Sequence, residues 1–470
     1  MFKPVDPKQP FPEMEENILK FWEDNKIFEK SLEERSDAPL YSFYDGPPFA
    51  TGRPHYGHIV ASTMKDVVPR YWTMRGYNVP RKWGWDCHGL PIENIAEKEL
   101  GVVRKKEILE KYGVERFNEI CRSKVLEYVA EWKKVIRRLG RWADMENAYK
   151  TMDLPFMESV WWVFKQLWDK GLVYESYRSM HICPRCETTL SQSEVAEGYE
   201  NIKDLSATVK FDLEDEPGTY LLAWTTTPWT LIGNVALAVG ENIDYYNLEL
   251  EAKDVDEFPL NKGDKIIIAD NVDTQIRIFG APLGFDPPPH GGGYQSANVN
   301  FFSRGNILFK NIKLLRGKDL IGKSYKPLFN YYSSDENLKK RENGWKIYPA
   351  DFVTTEEGTG VVHIAPAFGE DDMNLGKKFD LPFVSHVDMD GTIRPEARDF
   401  AGLDVKPIED SQKTDVEIIK YLAKNNLLYA KSQFEHSYPH CWRCDTPLLN
   451  YATSSWFVSV EKIKDKMLEN

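Results

Sequence analysis

Two short cysteine motifs constrain this chain more than any other feature. Cys183-Pro184-Arg185-Cys186 and Cys441-Trp442-Arg443-Cys444 share the form Cys-Pro/Trp-Arg-Cys and hold four of the six cysteines. A Cys-x-x-Cys turn aims two thiolates at one point, and two such turns complete the tetrahedral four-sulfur shell that zinc prefers. Ligation by protein alone leaves no open coordination position, so a zinc ion held by Cys183, Cys186, Cys441 and Cys444 would be structural. His181 and His440 stand beside the motifs, and at this level a set of three cysteines and one histidine stays open. A redox role does not account for two matched copies. If both turns hold one ion, the long stretch between Cys186 and Cys441 leaves and returns to one place, as an inserted domain does.

Composition narrows the class further. With 470 residues, 42% hydrophobic and 13% aromatic, the chain can bury several cores, which excludes wholesale disorder. At roughly 150 residues per domain the length suggests about three folding units. Six cysteines are too sparse for a disulfide scaffold and fit a reducing cytosol. No apolar run approaches the roughly 20 residues that span a bilayer. The start, Met1 to Pro7, lacks the apolar segment of a secretory signal. A cytoplasmic protein without a membrane partner is expected. The formal net charge of −13 argues against non-specific nucleic-acid binding by the whole surface. One local stripe, Lys133, Lys134, Arg137, Arg138 and Arg141, has helical spacing and suits either phosphate contact or a solvated face, with Trp132 and Leu139 turned to the core.

Along the chain, Pro12 to Ser36 reads as a surface helix and Leu40 to Tyr44 as a strand broken by Gly46-Pro47-Pro48. A loop then leads into a helix through Met74, the strand–turn–helix start of a parallel α/β domain. Lys105 to Arg141 is helical in pattern, and the apolar Glu158 to Lys170 predicts a helix buried against the core. From Asn201 to about Gly402 short β-rich runs dominate, among them 207–211, 220–224, 265–269 and 360–364; helix returns over 416–425. The Pro/Gly tract within 280–300 has no periodicity and reads as a surface loop.

Chemistry gathers first at His55-Tyr56-Gly57-His58. Two histidines at i and i+3 share a face at the start of a helix, where free N–H groups favour a phosphate. Gly57 permits close approach of a ligand to the backbone. The histidines suit donation to phosphate oxygens rather than nucleophilic attack. With Asp45-Gly46-Pro47-Pro48-Phe49-Ala50-Thr51-Gly52 before it and Gly84-Trp85-Asp86-Cys87-His88-Gly89-Leu90-Pro91-Ile92-Glu93 after it, the region resembles the class I aminoacyl-tRNA synthetases, and among them the isoleucyl family. The resemblance implies ATP binding at His55, Gly57 and His58, with His55 and His58 catalytic. It places Gly46, Pro47 and Asp86 at the amino-acid pocket, with Asp86 pairing with the substrate ammonium. A buried ammonium does require such a carboxylate.

A second polar set lies in the β-rich part: Trp224-Thr225-Thr226-Thr227-Pro228-Trp229-Thr230-Leu231 running on to Asn234, and Gly358 to Pro366 followed by Glu370-Asp371-Asp372. Hydroxyls, an amide, a histidine and an aspartate suit a pocket that holds an amino group and orients water. By resemblance this is the family's editing domain. Thr225, Thr226, Thr227 and Asn234 would line it, His363 would help bind the terminal ribose, and Asp372 would act catalytically by gripping the misattached amino acid's ammonium.

The resemblance runs from Tyr41 to about Val460 and implies an α/β fold: the first half of a Rossmann-like catalytic domain with a zinc knuckle (1–200), an inserted β-rich editing domain (201–402), and a truncated return (403–470). The family's KMSKS lysine loop is not in the sequence, so an N-terminal portion of a longer protein is expected. The implied activity joins isoleucine to tRNA(Ile) at the expense of ATP with Mg²⁺, and hydrolyses misformed valyl-tRNA(Ile); a monomer is expected. The rival readings are a stand-alone deacylase and a zinc-clamped tRNA-binding module.

Overall fold

Strand Lys82–Trp85 lies parallel to strand Asp144–Lys150, Lys82 opposite Asp144 and Trp85 opposite Lys150. Parallel neighbours require a crossover. Here it is supplied by helices Leu90–Leu100, Val114–Lys124 and Val129–Arg138. Trp83 and Trp85 are both buried, and they pack with Ile92, Trp132 and Ile136. Between the two tryptophans only glycine fits, since a Cβ on Gly84 would come within 2.2 Å of the Tyr149 ring. These elements belong to one unit of this computed structural model, Met1–Tyr174 with Val458–Asn470; a second unit comprises Glu175–Phe457. The structure describes residues 8–102, 105–252, 258–270, 301–304, 307–356, 358–407 and 409–469, and the 280–300 tract lies outside them.

Several expectations for the first unit need correction. The predicted surface helix is two, Phe11–Asp24 and Ile27–Glu33, broken where Lys26 takes a left-handed conformation. Leu40 to Tyr44 is not a strand. It keeps a single bridge, Leu40 to Asn78, because Tyr41 instead stacks on Trp72 with ring centroids 4.7 Å apart. Pro47 and Pro48 then offer no N–H to continue a ladder. Helix Leu154–Asp169 forms but buries none of its residues; Trp161 and Trp162 are more than half exposed. Its apolar side chains are not confined to one stripe, so composition showed a sticky helix without showing what covers it. The basic stripe carries ion pairs. Lys133 and Arg137 pair with Glu146 at 2.8 and 2.6 Å, Arg138 with Glu15 at 2.8 Å, and Arg141 is buried against Asp45. Four of the five stripe residues are thus engaged in ion pairs within the fold. Trp132 is buried as expected, whereas Leu139 is exposed.

In the second unit, a seven-stranded sheet runs in the order Phe301–Arg304, Ile307–Arg316, Asp244–Ala252, Lys265–Ala269, Thr219–Thr225, Tyr199–Asp212, Leu428–Pro439. The expected β-runs at 207–211, 220–224 and 265–269 are all strands of this sheet. A smaller sheet pairs Ala236–Val239 with Lys346–Pro349 and with Val361–Ile364. Both sheets contribute to one core, with Phe211, Leu221, Leu237, Ile267, Ile347 and Val361 in it. The expected insertion, 201–402, lies wholly within this unit.

The long antiparallel pair Tyr199–Asp212 and Leu428–Pro439 brings distant sequence together, Pro439 opposite Tyr199. Just beyond it His440 donates its N–H to the Gly198 carbonyl at 2.6 Å. A Cβ on Gly198 would stand 2.0 Å from the His440 carbonyl oxygen. Gly198→Ala therefore forces the two chains apart, and thermal unfolding should show a loss of about 1–3 kcal/mol. Among the described residues no helix is long and apolar enough to cross a membrane.

Candidate active sites and metal centre

Helix Tyr56–Met74 begins with His55 in extended conformation as its N-cap. His55 Nδ1 accepts from Gly57 N–H at 3.1 Å, and His58 Nδ1 accepts from His55 N–H at 3.2 Å. An imidazole that accepts at Nδ1 carries its proton at Nε2 when neutral. In that form each histidine has an Nε2–H to donate, which suits a phosphate oxygen. Burial, followed by the neighbouring His55 and Lys65 charges, holds the His58 pKa below the usual imidazole value. The rings lie 3.7 Å apart, and His58 packs edge-on to Trp132, whose indole N–H bonds the Gly52 carbonyl at 2.7 Å.

Backbone bonds tie the other predicted residues to this place. Asp86 N–H donates to the Pro48 carbonyl at 3.0 Å, which joins Asp86 to the Gly46-Pro47-Pro48 loop. Lys65 reaches back from the helix to the Gly46 carbonyl at 3.2 Å and to Asp45 at 2.5 Å. Asp45, also paired with Arg141, is neutralised within the fold. Asp86 is not: its contacts are long, 3.4 Å from Thr151 Oγ1 and 3.5 Å from His88 N–H. A half-buried carboxylate so loosely held can take a cation. Lys65 and Thr151 escaped the sequence reading, because single residues so far from the motifs carry no local signal.

In the second unit a cavity of about 340 Å³ is lined by Thr225, Thr226, Thr227, Thr230, His363 and Asp372 among others. Strand Thr219–Thr225 delivers the threonines, and the 3₁₀ turn Pro228–Gly233 follows. Thr230 donates to the Thr227 carbonyl at 2.8 Å. Its hydroxyl proton is thereby committed, so His363 Nε2, 3.1 Å away, must be the donor to Thr230 Oγ1. His363 Nδ1 is left as an unpartnered acceptor. Burial pushes the His363 pKa down to about 4, so the ring is neutral. Burial pushes Asp372 up to about 7, against the Ala365 N–H it accepts at 2.9 Å and with help from Asp371. Part of the Asp372 surface faces the cavity, although protein surrounds the carboxyl.

Asn234 stands apart from this group. Its amide donates to the Ala236 carbonyl at 2.9 Å and accepts from Tyr325 at 2.8 Å, and it does not line the cavity. Thr230 does line it and was not singled out by sequence. The available signal was its spacing: residues i and i+3 of a 3₁₀ turn eclipse, which sets Thr230 over Thr227.

The ligand atoms of Cys183, Cys186, Cys441 and Cys444 lie within 4.8 Å of one another. Cys444 Sγ is 3.5 Å from Cys183 Sγ and 3.7 Å from Cys186 Sγ. Four sulfurs about 2.3 Å from a tetrahedral ion stand roughly 3.8 Å apart, so the residues fit zinc. Backbone bonds shape the second turn, with Cys441 accepting from Cys444 N–H at 3.1 Å and from Asp445 N–H at 2.8 Å. Among the described residues the cluster that could hold a metal comprises these four cysteines and neither His181 nor His440.

A parallel strand pair behind a histidine-capped helix, joined by the chain to a β-rich unit with a polar cavity, is the arrangement of a class I synthetase. Residues 17–470 match the family model for tRNA synthetases class I (I, L, M and V), and the chain belongs to that family. Its α/β fold class is therefore the one read from the sequence. Among curated proteins the chain is 46% identical over 495 residues to the isoleucine–tRNA ligase of Treponema denticola. It is 42% identical over 470 residues to that of Clostridium acetobutylicum and 43% over 469 residues to that of Bdellovibrio bacteriovorus. Each alignment takes in 100% of this chain and 41%, 40% and 40% of the relative respectively, so the chain spans about two fifths of their length.

Proposed function

We propose that this chain carries the amino-acid-activating and editing sites of an isoleucine–tRNA ligase. One observation supports this most: Thr225, Thr226, Thr227 and Thr230, His363 and Asp372, far apart in sequence, meet at one cavity, in a different unit from the histidine-capped helix. On this reading residues 1–200 and 403–470 belong to the synthetic domain and 201–402 to the editing insertion.

In the synthetic reaction a carboxylate oxygen of isoleucine attacks the α-phosphorus of ATP and pyrophosphate leaves. The 3′-terminal ribose hydroxyl of tRNA(Ile) then attacks the acyl carbon and AMP leaves. Mg²⁺ travels with ATP. Asp86 holds the ammonium, Pro47 walls the side chain, and the His55 and His58 Nε2–H groups donate to phosphate oxygens as charge develops. Zinc held by the four cysteines is structural. The partners are isoleucine, ATP and tRNA(Ile), and the protein acts as a monomer in the cytoplasm.

As is established for this very class of enzyme, a pocket extracts only about 1–3 kcal/mol from the methylene that separates isoleucine from valine. A second, smaller site is the remedy. In it Asp372 takes the ammonium of the valyl ester, His363 Nδ1 accepts from a ribose hydroxyl, and the threonines orient water without adding a strong nucleophile. Water attacks the ester carbonyl and the ribose oxygen leaves.

The test is direct: the 470-residue chain should hydrolyse valyl-tRNA(Ile) and spare isoleucyl-tRNA(Ile). Equal rates on both would reject the editing reading. For the synthetic site, calorimetric titration with a sulfamoyl analogue of isoleucyl adenylate is expected to show binding that Asp86→Ala weakens roughly 100-fold, the effect of stripping a buried ammonium of its partner. An unchanged Kd would remove Asp86 from that role. Hydrolysis without analogue binding would favour the stand-alone deacylase, whose cavity is complete within residues 175–457.

A further inference from the structure

We infer that Asp415 and His386 are positioning residues for the hydrolytic site, clamping the Trp229 peptide and so setting Thr230 against His363. The inference rests on the hydrolytic reading of that cavity. Every residue of the turn Pro228–Gly233 is buried. At its second residue, Trp229 N–H donates to Asp415 Oδ1 at 3.1 Å. The carbonyl of the same residue accepts from His386 Nε2 at 3.0 Å. One residue on, Thr230 bonds Thr227 and His363.

Both clamp residues are anchored from behind. Asp415 Oδ2 pairs with Lys406 at 3.3 Å, and Lys406 pairs with Asp204 Oδ1 at 3.1 Å; all three side chains are at most 1% exposed. His436 closes the chain at 3.3 Å from Asp204 Oδ2. His386 is fully buried and packs edge-on to Phe368, which lines the cavity, with centroids 4.6 Å apart. Gly233 makes room for it, since a Cβ there would stand 2.7 Å from His386 Nδ1.

The plainer alternative is ordinary core structure. Asp415 sits in the first turn of helix Lys413–Lys424, where an acid is favourable without further duty. Yet its Oδ1 is directed out of that helix to a segment 186 positions away. Stability alone does not account for the triad either, because apolar packing generally serves as well as a buried ion group. What apolar packing cannot supply is an acceptor and a donor fixed on either side of one peptide. A hydrolytic site needs such fixing, since a displacement of about 1 Å can cost roughly 100-fold in rate.

The experiment uses the zinc-loaded chain. His386→Leu keeps bulk and loses the donor, whereas the Nε2 of His386→Gln can take the place of the imidazole Nε2. His386→Leu should lower kcat for valyl-tRNA(Ile) hydrolysis by about 10- to 100-fold with KM nearly constant, and His386→Gln should recover most of it. Amide hydrogen exchange at Trp229 and Thr230 should speed up in His386→Leu and in Asp415→Leu, each of which loses one of the two bonds, and stay slow in His386→Gln. Equal impairment by Leu and Gln, or wild-type kcat and exchange in His386→Leu, overturns the clamp. If the wild-type chain hydrolyses nothing, the hydrolytic reading has failed, and the exchange rates still decide whether the clamp exists.

Discussion

Asp372→Asn should lower hydrolysis of valyl-tRNA(Ile) by roughly 10²–10³-fold, the effect of leaving a buried substrate charge without its partner. The same substitution should stabilise the empty protein at alkaline pH. Burial raises the Asp372 pKa from 3.8 to about 7. Below pH 4 the carboxyl is protonated in both folded and unfolded states and does not affect the balance. Between pH 4 and 7 the unfolded chain releases the proton while the folded chain keeps it, so stability falls as pH rises. Above pH 7 the full penalty applies, on the order of 4 kcal/mol for a shift of this size. Asparagine removes the charge and still offers an oxygen to Ala365 N–H. The Tm gain should therefore be large at pH 8 and absent at pH 4. In the wild type, kcat/KM for hydrolysis should climb with a midpoint near pH 7 as Asp372 ionises. A variant that hydrolyses at the normal rate would take Asp372 out of the site.

The second large effect concerns the four cysteines. Metal analysis should find about one zinc per chain, lost in Cys441→Ser and retained in Cys121→Ser, because Cys121 lies in the other unit. Structural zinc binding by small domains is worth about 10–16 kcal/mol at neutral pH. In a unit with an extensive core of its own, only part of that would appear as lost stability, but a chelator should still lower its Tm markedly. Hydrogen exchange should quicken first near Gly198 and His440, beside the knuckles. An unaltered melting curve after complete zinc removal would show that the β-sheet alone holds the two ends.

Why some of this could be read from sequence and some not follows from the physics of each element. The runs at 207–211 and 265–269 are short and mostly apolar, and they became strands in which Ala207, Val209, Phe211 and Ile266 to Ala269 are buried to near-zero exposure. Local pattern and tertiary need agreed there. The helix expected at 158–170 formed as well, but burial is a property of neighbours, and periodicity cannot name them. The pairing of Cys183 and Cys186 with Cys441 and Cys444 was legible because metal chemistry makes a long-range rule out of a short motif. Where the Asn234 side chain bonds was not legible, for the opposite reason. An amide next to a polar motif looks like a pocket residue, whereas its bonds here run to the Ala236 carbonyl and the Tyr325 hydroxyl. Asp415 and His386 carry no motif at all; their meaning lies in one peptide to which both bond.

The two-histidine cap has a consequence for acid conditions. Each imidazole accepts a main-chain N–H at the helix start with its Nδ1, that of Gly57 at His55 and that of the N-cap His55 at His58. A proton arriving at His58 Nδ1 would take the lone pair from the His55 amide, so charging the ring and unlatching the helix start are one event. The depressed basicity of His58 defers that event to lower pH.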